Sequence, residues 1–282
     1  MNTKIVLLNI AEKDLVAARC LFKEKLYPQA IFYLEQTVEK ATKAMGLHHK
    51  IITENELVGI GHNVVKVYTR MLEDLKPKVI RAQDRIRQFP KLEHITLFRK
   101  FEEIDPEKFE EILTNFKLFL RYSNRQLTDE RLEYAFLELT KLEEELNSQK
   151  IAIEEDINKF KSLAYEVAKA IGEEDPIAYK IIEKELDSLT PQLTKKLIEY
   201  AISVALCYNY LLFLSTRICP LASPARYPYP EEGHNPLQVY TEQHPLIKRF
   251  EQLAQIVEKA LNSLREVFSR GTEIEKEINM SK

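Results

Sequence analysis

Between Tyr27 and Gly46, apolar residues at Ala30, Leu34, Val38, Ala41 and Met45 recur at steps of four, four, three and four, which sets them on one face of a helix. A polar back is expected opposite that face. The run before it keeps the same period at Leu8, Ala11, Leu15, Ala18 and Phe22. Pro28 suits the first turn of the second helix, where its missing N–H costs nothing. The two runs are predicted to form an antiparallel helix hairpin.

The rest of the chain agrees with that start. With only 6 glycines, no tryptophan and few strand-like alternations in 282 residues, an all-α protein is expected. The net charge of -3 hides an asymmetry: Lys66–Lys100 carries ten Lys or Arg against four Asp or Glu, and Phe101–Asp156 carries seven against sixteen. Cys20, Cys207 and Cys219 form no CxxC pair and stand in or beside apolar runs, which favours buried thiols in a reducing cytoplasm over disulfides or metal ligands. The apolar patch at the N-terminus is too short for a signal peptide. Ala201–Ser215 is uncharged for 15 residues, short of the roughly 18 to 20 that span a bilayer. A cytoplasmic location and no membrane partner are expected.

After the hairpin, Thr53 and Glu56 have capping-box spacing, although Gly59 and Gly61 leave open a helix start at His62. His48 and His49 are expected in an exposed loop. A helix from Lys66 should stop near Pro77 and restart with Lys78, Arg81 and Arg85 on one face. With Lys66, Arg70 and Arg87 these bases make either a phosphate-attracting surface or a solvated face held by salt bridges. Only Tyr68 is interleaved among them, which favours the solvated face. Asp105-Pro106 opens a short helix to Tyr122. Leu132, Leu139, Leu146, Ile153, Phe160 and Val167 then repeat every seven residues, predicting one helix of over forty residues between the Thr128-Asp129 cap and Gly172.

Asp175-Pro176 and Thr190-Pro191 start two further helices, the second a core helix from Pro191 to Arg217. Cys219–His244 follows as a long loop with five prolines, centred on Arg226-Tyr227-Pro228. The last helix is predicted from Pro245 to Ser269, with Leu246, Phe250, Leu253, Val257, Leu261, Leu264 and Phe268 as its apolar stripe and Gly271 as its stop.

Ala11-Glu12-Lys13-Asp14-Leu15, Tyr27, Glu35-Gln36, Glu39-Lys40-Ala41 and Lys43-Ala44 together resemble the opening helix pair of the HEPN family. His62 resembles the histidine that opens the family's third helix, and Arg226-Tyr227-Pro228 the Arg-Tyr-Pro that precedes its last one. The resemblance implies an up-and-down helical bundle over 1–71 plus 190–270, with 72–189 a helical insertion containing the long helix and 271–282 a flexible tail. It further implies a nucleotide- or RNA-binding module of archaeal or bacterial type, with Arg226, Tyr227, His62 and Lys66 as contacts. Homodimers, toxin–antitoxin pairing and a nucleotidyltransferase partner protein belong to the same implication.

Arg226 is the natural phosphate ligand and Tyr227 a platform for a base. Their structural alternatives are an ion pair with Glu231 or Glu232, and packing against the last helix. The nuclease branch of the family carries an arginine four to six residues before a histidine, a pair suited to metal-free RNA cleavage. Arg226 and His234 have seven residues between them, so the motif is not met. His62 and His234 remain the candidate proton carriers of a metal-independent endoribonuclease, the alternative to a binding module. A helical protein-interaction scaffold is the third reading. No phosphate loop, HExxH, GxSxG or zinc-spaced cluster occurs, so no metal and no cofactor is expected.

Overall fold

The computed structural model describes residues 2–87, 128–155, 191–219 and 222–280, with scattered helical positions between 111 and 184. Its first two helices are α1 (Thr3–Lys23) and α2 (Tyr27–His48), with Pro28 in the first turn of α2 as expected. The turn between them closes α1 in a Schellman pattern: Leu26 N–H reaches Leu21 O, Lys25 N–H reaches Phe22 O, and Lys25 adopts φ 59°. The end of α2 repeats the device, with Ile51 N–H on Gly46 O, Lys50 N–H on Leu47 O, and Lys50 at φ 57°.

The apolar face of α2 is buried as its spacing requires, but so is much of its polar back. Glu35, Thr37, Glu39, Thr42 and Lys43 are all buried, because other elements pack on that side. Thr42, Tyr68 and Ser215 bring their hydroxyls within 3.3–3.4 Å of one another. Burial pushes the Tyr68 phenol well above its ordinary value.

Glu56 accepts from the Thr53 N–H and hydroxyl at 2.8 and 3.0 Å, forming the expected cap. It opens a 3-10 turn (Glu54–Glu56) that runs into α3 (Leu57–Ile60). Gly61 then turns at φ 54°, and α4 (Val65–Arg87) begins just beyond His62. Contrary to expectation, His48 and His49 are half-buried at the end of α2. The His48 ring lies 4.8 Å from that of Phe268, and His49 lies 5.4 Å from Tyr208.

Helix α4 also passes through Pro77, where a stop was expected. Proline there removes one backbone hydrogen bond, but the 2.5 Å Lys78–Asp74 pair spans the defect, and Val79 and Gln83 beyond it are buried. The basic residues find partners close by. Lys66 Nζ donates to Gly59 O at 2.8 Å, Arg70 pairs with Glu56 at 2.7 Å, and Arg87 lies 3.8 Å from Asp84.

Helix α5 (Asp129–Glu155) starts at Thr128, whose hydroxyl accepts from Arg131 N–H, and buries Leu132, Ala135 and Leu139. Its expected continuation to Gly172, and the helices expected over 105–122 and after Asp175, lie outside the described residues except for the scattered positions named above, which are helical. Helix α6 (Pro191–Arg217) buries Ser203, Cys207, Tyr210, Leu211 and Leu214, while most other positions from 201 to 217 are half-buried rather than core on all sides. By length and composition Lys195–Arg217 could cross a membrane, although its uncharged centre is short. Cys207 is a buried thiol whose ionisation burial opposes, Cys219 is half-buried, and Cys20 is exposed on α1 rather than buried.

The proline-rich segment is not structureless. It folds into α7 (Ala222–Arg226), a 3-10 turn (Pro230–Glu232), an antiparallel bridge between Tyr229 and His234, α8 (Pro236–Val239) and α9 (Pro245–Lys248). Prolines begin three of these turns, Asn235 and His244 cap the last two, and Gly233 supplies φ 66°. The predicted final helix is thus divided at Arg249. Its main part, α10 (Phe250–Met280), keeps the expected stripe buried and continues through Gly271. Ile274 is buried beyond that glycine, Lys196 pairs with Glu277, and Arg270 pairs with Glu199 at 2.5 Å. These contacts extend the helix into the segment expected to be a flexible tail.

The chain divides into two compact units. One comprises Met1–Met71, Asn115–Glu144 and Ser203–Phe268; the other comprises Leu72–Thr114, Glu145–Ile202 and Ser269–Lys282. Every candidate site residue belongs to the first.

Candidate functional site

One stripe of α2 organises the site. Gln29, Phe32, Gln36, Glu39 and Lys43 follow one another at steps of three, four, three and four, so they share a helix face. Glu35 lies one turn before Glu39. The first two residues of the stripe meet α7 and the turns after it, Gln36 and Glu39 meet His62, and Lys43 meets Glu39.

Gln29 and Pro28 form one wall of a cavity of about 560 Å³ whose opposite wall includes Arg226, Pro228, His234 and Asn235. Arg226 ends α7, and its guanidinium carbon stands 4.7 Å from the Phe32 ring centroid and 4.9 Å from that of Tyr227. Both arrangements are cation–π contacts, which orient a guanidinium without consuming its donors. Arg226 pairs with no carboxylate among the described residues; the Glu232 side chain lies outside them. Tyr227 is 50% exposed, so its ring is open to a ligand rather than packed into the core.

His234 holds the cavity wall. Its Nε2 lies 2.7 Å from the Pro224 carbonyl, an acceptor, so that nitrogen carries the proton and donates. The Tyr229–His234 bridge fixes its backbone, and its ring lies 5.6 Å from Tyr229 and 6.4 Å from Tyr240. Burial pushes the Tyr240 phenol up to about 12.

Farther along the stripe, His62 Nδ1 lies 2.5 Å from Glu39 Oε2, and Lys43 Nζ donates to Glu39 Oε1 at 2.6 Å. Gln36 Nε2 donates to Glu35 at 2.8 Å and to Glu39 at 3.2 Å, while its Oε1 accepts from Lys40. Lys40 also reaches Asp14 of α1 at 2.7 Å. Burial pushes the Glu35 carboxyl up to about 8, with Gln36 opposing the shift and Glu39 adding to it. The His62 side chain is 61% exposed, whereas the carboxylates of Glu35 and Glu39 are buried.

Of the residues expected to make contacts, Arg226 and His62 meet this helix face, and Tyr227 lies against Arg226. Lys66, in α4, is held to the carbonyl of Gly59 in the preceding α3. Phe32, Gln36, Glu35 and Glu39 join the site without having been expected there from sequence. A signal for the last two exists: Glu35, Glu39 and Lys43 fall at steps of four, each directly after Leu34, Val38 or Thr42 of the helix's inner side.

Comparison with known protein families bears on α1, α2 and His62, and not on Arg226, Tyr227 or His234. A family model described as the HEPN domain matches residues 6–127. A Methanocaldococcus jannaschii protein named as a candidate toxin is 32% identical over 114 residues, covering 36% of this chain and 74% of its own length. No solved structure matches. The all-helical architecture, the α1–α2 hairpin and these two matches agree: the chain belongs to the HEPN domain family.

Proposed function

We propose that this HEPN chain binds a nucleotide or RNA, taking a phosphate on Arg226 and a base on Tyr227 at the mouth of the α2–α7 cavity. The carrying observation is the Arg226 guanidinium, exposed, set between two aromatic rings and unpaired with any carboxylate among the described residues. A guanidinium fork matches phosphate oxygens, and an exposed phenol ring stacks on a base. The cavity volume suits a small nucleotide or the end of a strand. No separate cofactor is needed for this role.

A second reading rests on His62. Its Nδ1 is fixed by Glu39, as in the orientation of a catalytic histidine by a carboxylate, and its exposed ring faces solvent beside Glu39, two helical turns along α2 from Phe32. In that reading the chain is a metal-independent endoribonuclease, in keeping with its toxin-named relative, and a nucleotidyltransferase would be the partner that restrains it. His234, with Nε2 committed to a carbonyl, serves better as a wall than as a proton carrier. Homodimerisation and a cytoplasmic location accompany either reading.

Incubation with end-labelled structured RNA in chelator-treated buffer separates the two. A shifted band without cleavage supports the binding module, and cleavage lost in His62→Ala supports the ribonuclease. Cleavage that survives loss of both His62 and His234 contradicts the second mechanism. Absence of both a shift and nucleotide binding contradicts the first.

A further inference from the structure

Glu35 is a fully buried carboxyl group with one oxygen, Oε1, that has no hydrogen-bond partner among the described residues. Its other oxygen accepts from Gln36. One turn along α2, Glu39 has Oε1 occupied by Lys43 and Oε2 directed at His62 Nδ1. One ligand atom from each of Glu35, Glu39 and His62 lies within 4.8 Å of the other two. Two buried carboxylates and an imidazole thus lie together, and the Glu35 carboxyl brings a buried oxygen with no hydrogen-bond partner among the described residues.

We propose that Glu35, Glu39 and His62 form a binding site for a divalent first-row transition-metal cation, for which Zn²⁺ is the probe. The donor set decides the class. One imidazole nitrogen with two carboxylates suits zinc and its neighbours, whereas magnesium and calcium favour oxygen alone. Three protein ligands also leave a position for water, as exchangeable zinc sites do.

The surroundings fit that use. Gln36 donates to both carboxylates and holds their orientation, the outer-shell support that metal ligands ordinarily have. Lys43 occupies Oε1 of Glu39, while Oε2 accepts from Gln36 at 3.2 Å and faces His62, so its remaining lone pair can serve as a monodentate ligand. Metal–ligand bonds of about 2.0–2.2 Å set neighbouring ligand atoms roughly 3.3 Å apart. His62 and Glu39 must therefore separate by about 1 Å as the cation replaces the Nδ1 proton, and the exposed turn at His62 has room to move. Proton transfer by His62 and its ligation of a metal through Nδ1 exclude one another at any one time. The site does not depend on nucleotide binding at Arg226.

The test uses the full chain, stripped with chelator and titrated with Zn²⁺ by calorimetry, with Co²⁺ absorption as a second measurement. Wild type should bind one equivalent. His62→Ala, at an exposed position, and the near-isosteric Glu35→Gln should each weaken binding at least tenfold with the helical circular dichroism retained. The Co²⁺ complex should lack a thiolate charge-transfer band, and Cys20→Ser should bind as wild type does. Equal affinity in His62→Ala, no saturable binding by wild type, or binding lost in Cys20→Ser would each overturn the proposal.

Discussion

The guanidinium of Arg226 and the ring of Phe32 stand 4.7 Å apart, joining the short helix after α6 to the first half of α2. Phe32 therefore positions the arginine that we assign to phosphate. Cation–π contacts at exposed sites are worth about 0.5–1 kcal/mol, or roughly two- to fivefold in affinity. Phe32→Leu, which keeps an apolar side chain there, should weaken nucleotide or RNA binding by about that factor. A competition titration against wild type reads it; a change beyond about a hundredfold would mean that Phe32 does more than orient Arg226.

Gly46 lies inside α2, where alanine would ordinarily gain about 1 kcal/mol of helix propensity. Here a Cβ would meet Val67 Cγ1 at 2.9 Å and Ile52 at 3.1 Å. Overpacking of this kind costs about 1–3 kcal/mol. Gly46→Ala should lower the urea midpoint, and a higher midpoint would show that α4 yields freely.

Lys50 occupies the left-handed position that closes α2, at φ 57° and exposed. Side chains other than glycine pay about 1 kcal/mol for that conformation. Lys50→Gly should therefore stabilise the protein by about 0.5–1 kcal/mol in equilibrium unfolding, and a loss of stability would contradict the account of this turn.

The hairpin and the final stripe were legible because each needs only periodicity, and their apolar positions are buried as spaced except Phe22, which is half-buried. Local rules failed where tertiary packing outweighed them. Pro77 and Gly271 both punctuate a sequence, yet buried residues beyond each, Val79 and Ile274, favour continuing the helix. The site was half legible. Arg226, Tyr227 and His62 stand out by residue type and order, whereas Phe32 and Glu39 acquire their roles from contacts 194 and 23 residues away in sequence. The Glu35–Glu39–His62 cluster has no compact motif for that reason: two ligands come from a helix and the third from a separate turn.

His48 should make stability depend on pH. Burial, then the Lys4 ammonium and His49, push its pKa from an ordinary 6.5 down to about 4, and Lys4 Nζ donates to the unprotonated Nδ1. The unfolded chain takes up a proton below about 6.5 that the folded chain refuses until about 4. Stability from this group is complete above that window and is lost as pH falls through it. Urea unfolding at pH 7.5 and 5 should show a smaller decline in His48→Gln than in wild type; an equal decline would assign the effect elsewhere.

The most direct test of the central claim is the equilibrium affinity of wild type, Arg226→Lys and Arg226→Ala for labelled RNA and for a nucleoside triphosphate, with circular dichroism confirming each fold. A charge-assisted hydrogen bond is worth about 1.5–3 kcal/mol, so Arg226→Ala should bind about tenfold or more weakly, with Arg226→Lys between it and wild type. Unchanged affinity in a folded Arg226→Ala protein would contradict the account and remove the α2–α7 cavity as the binding site.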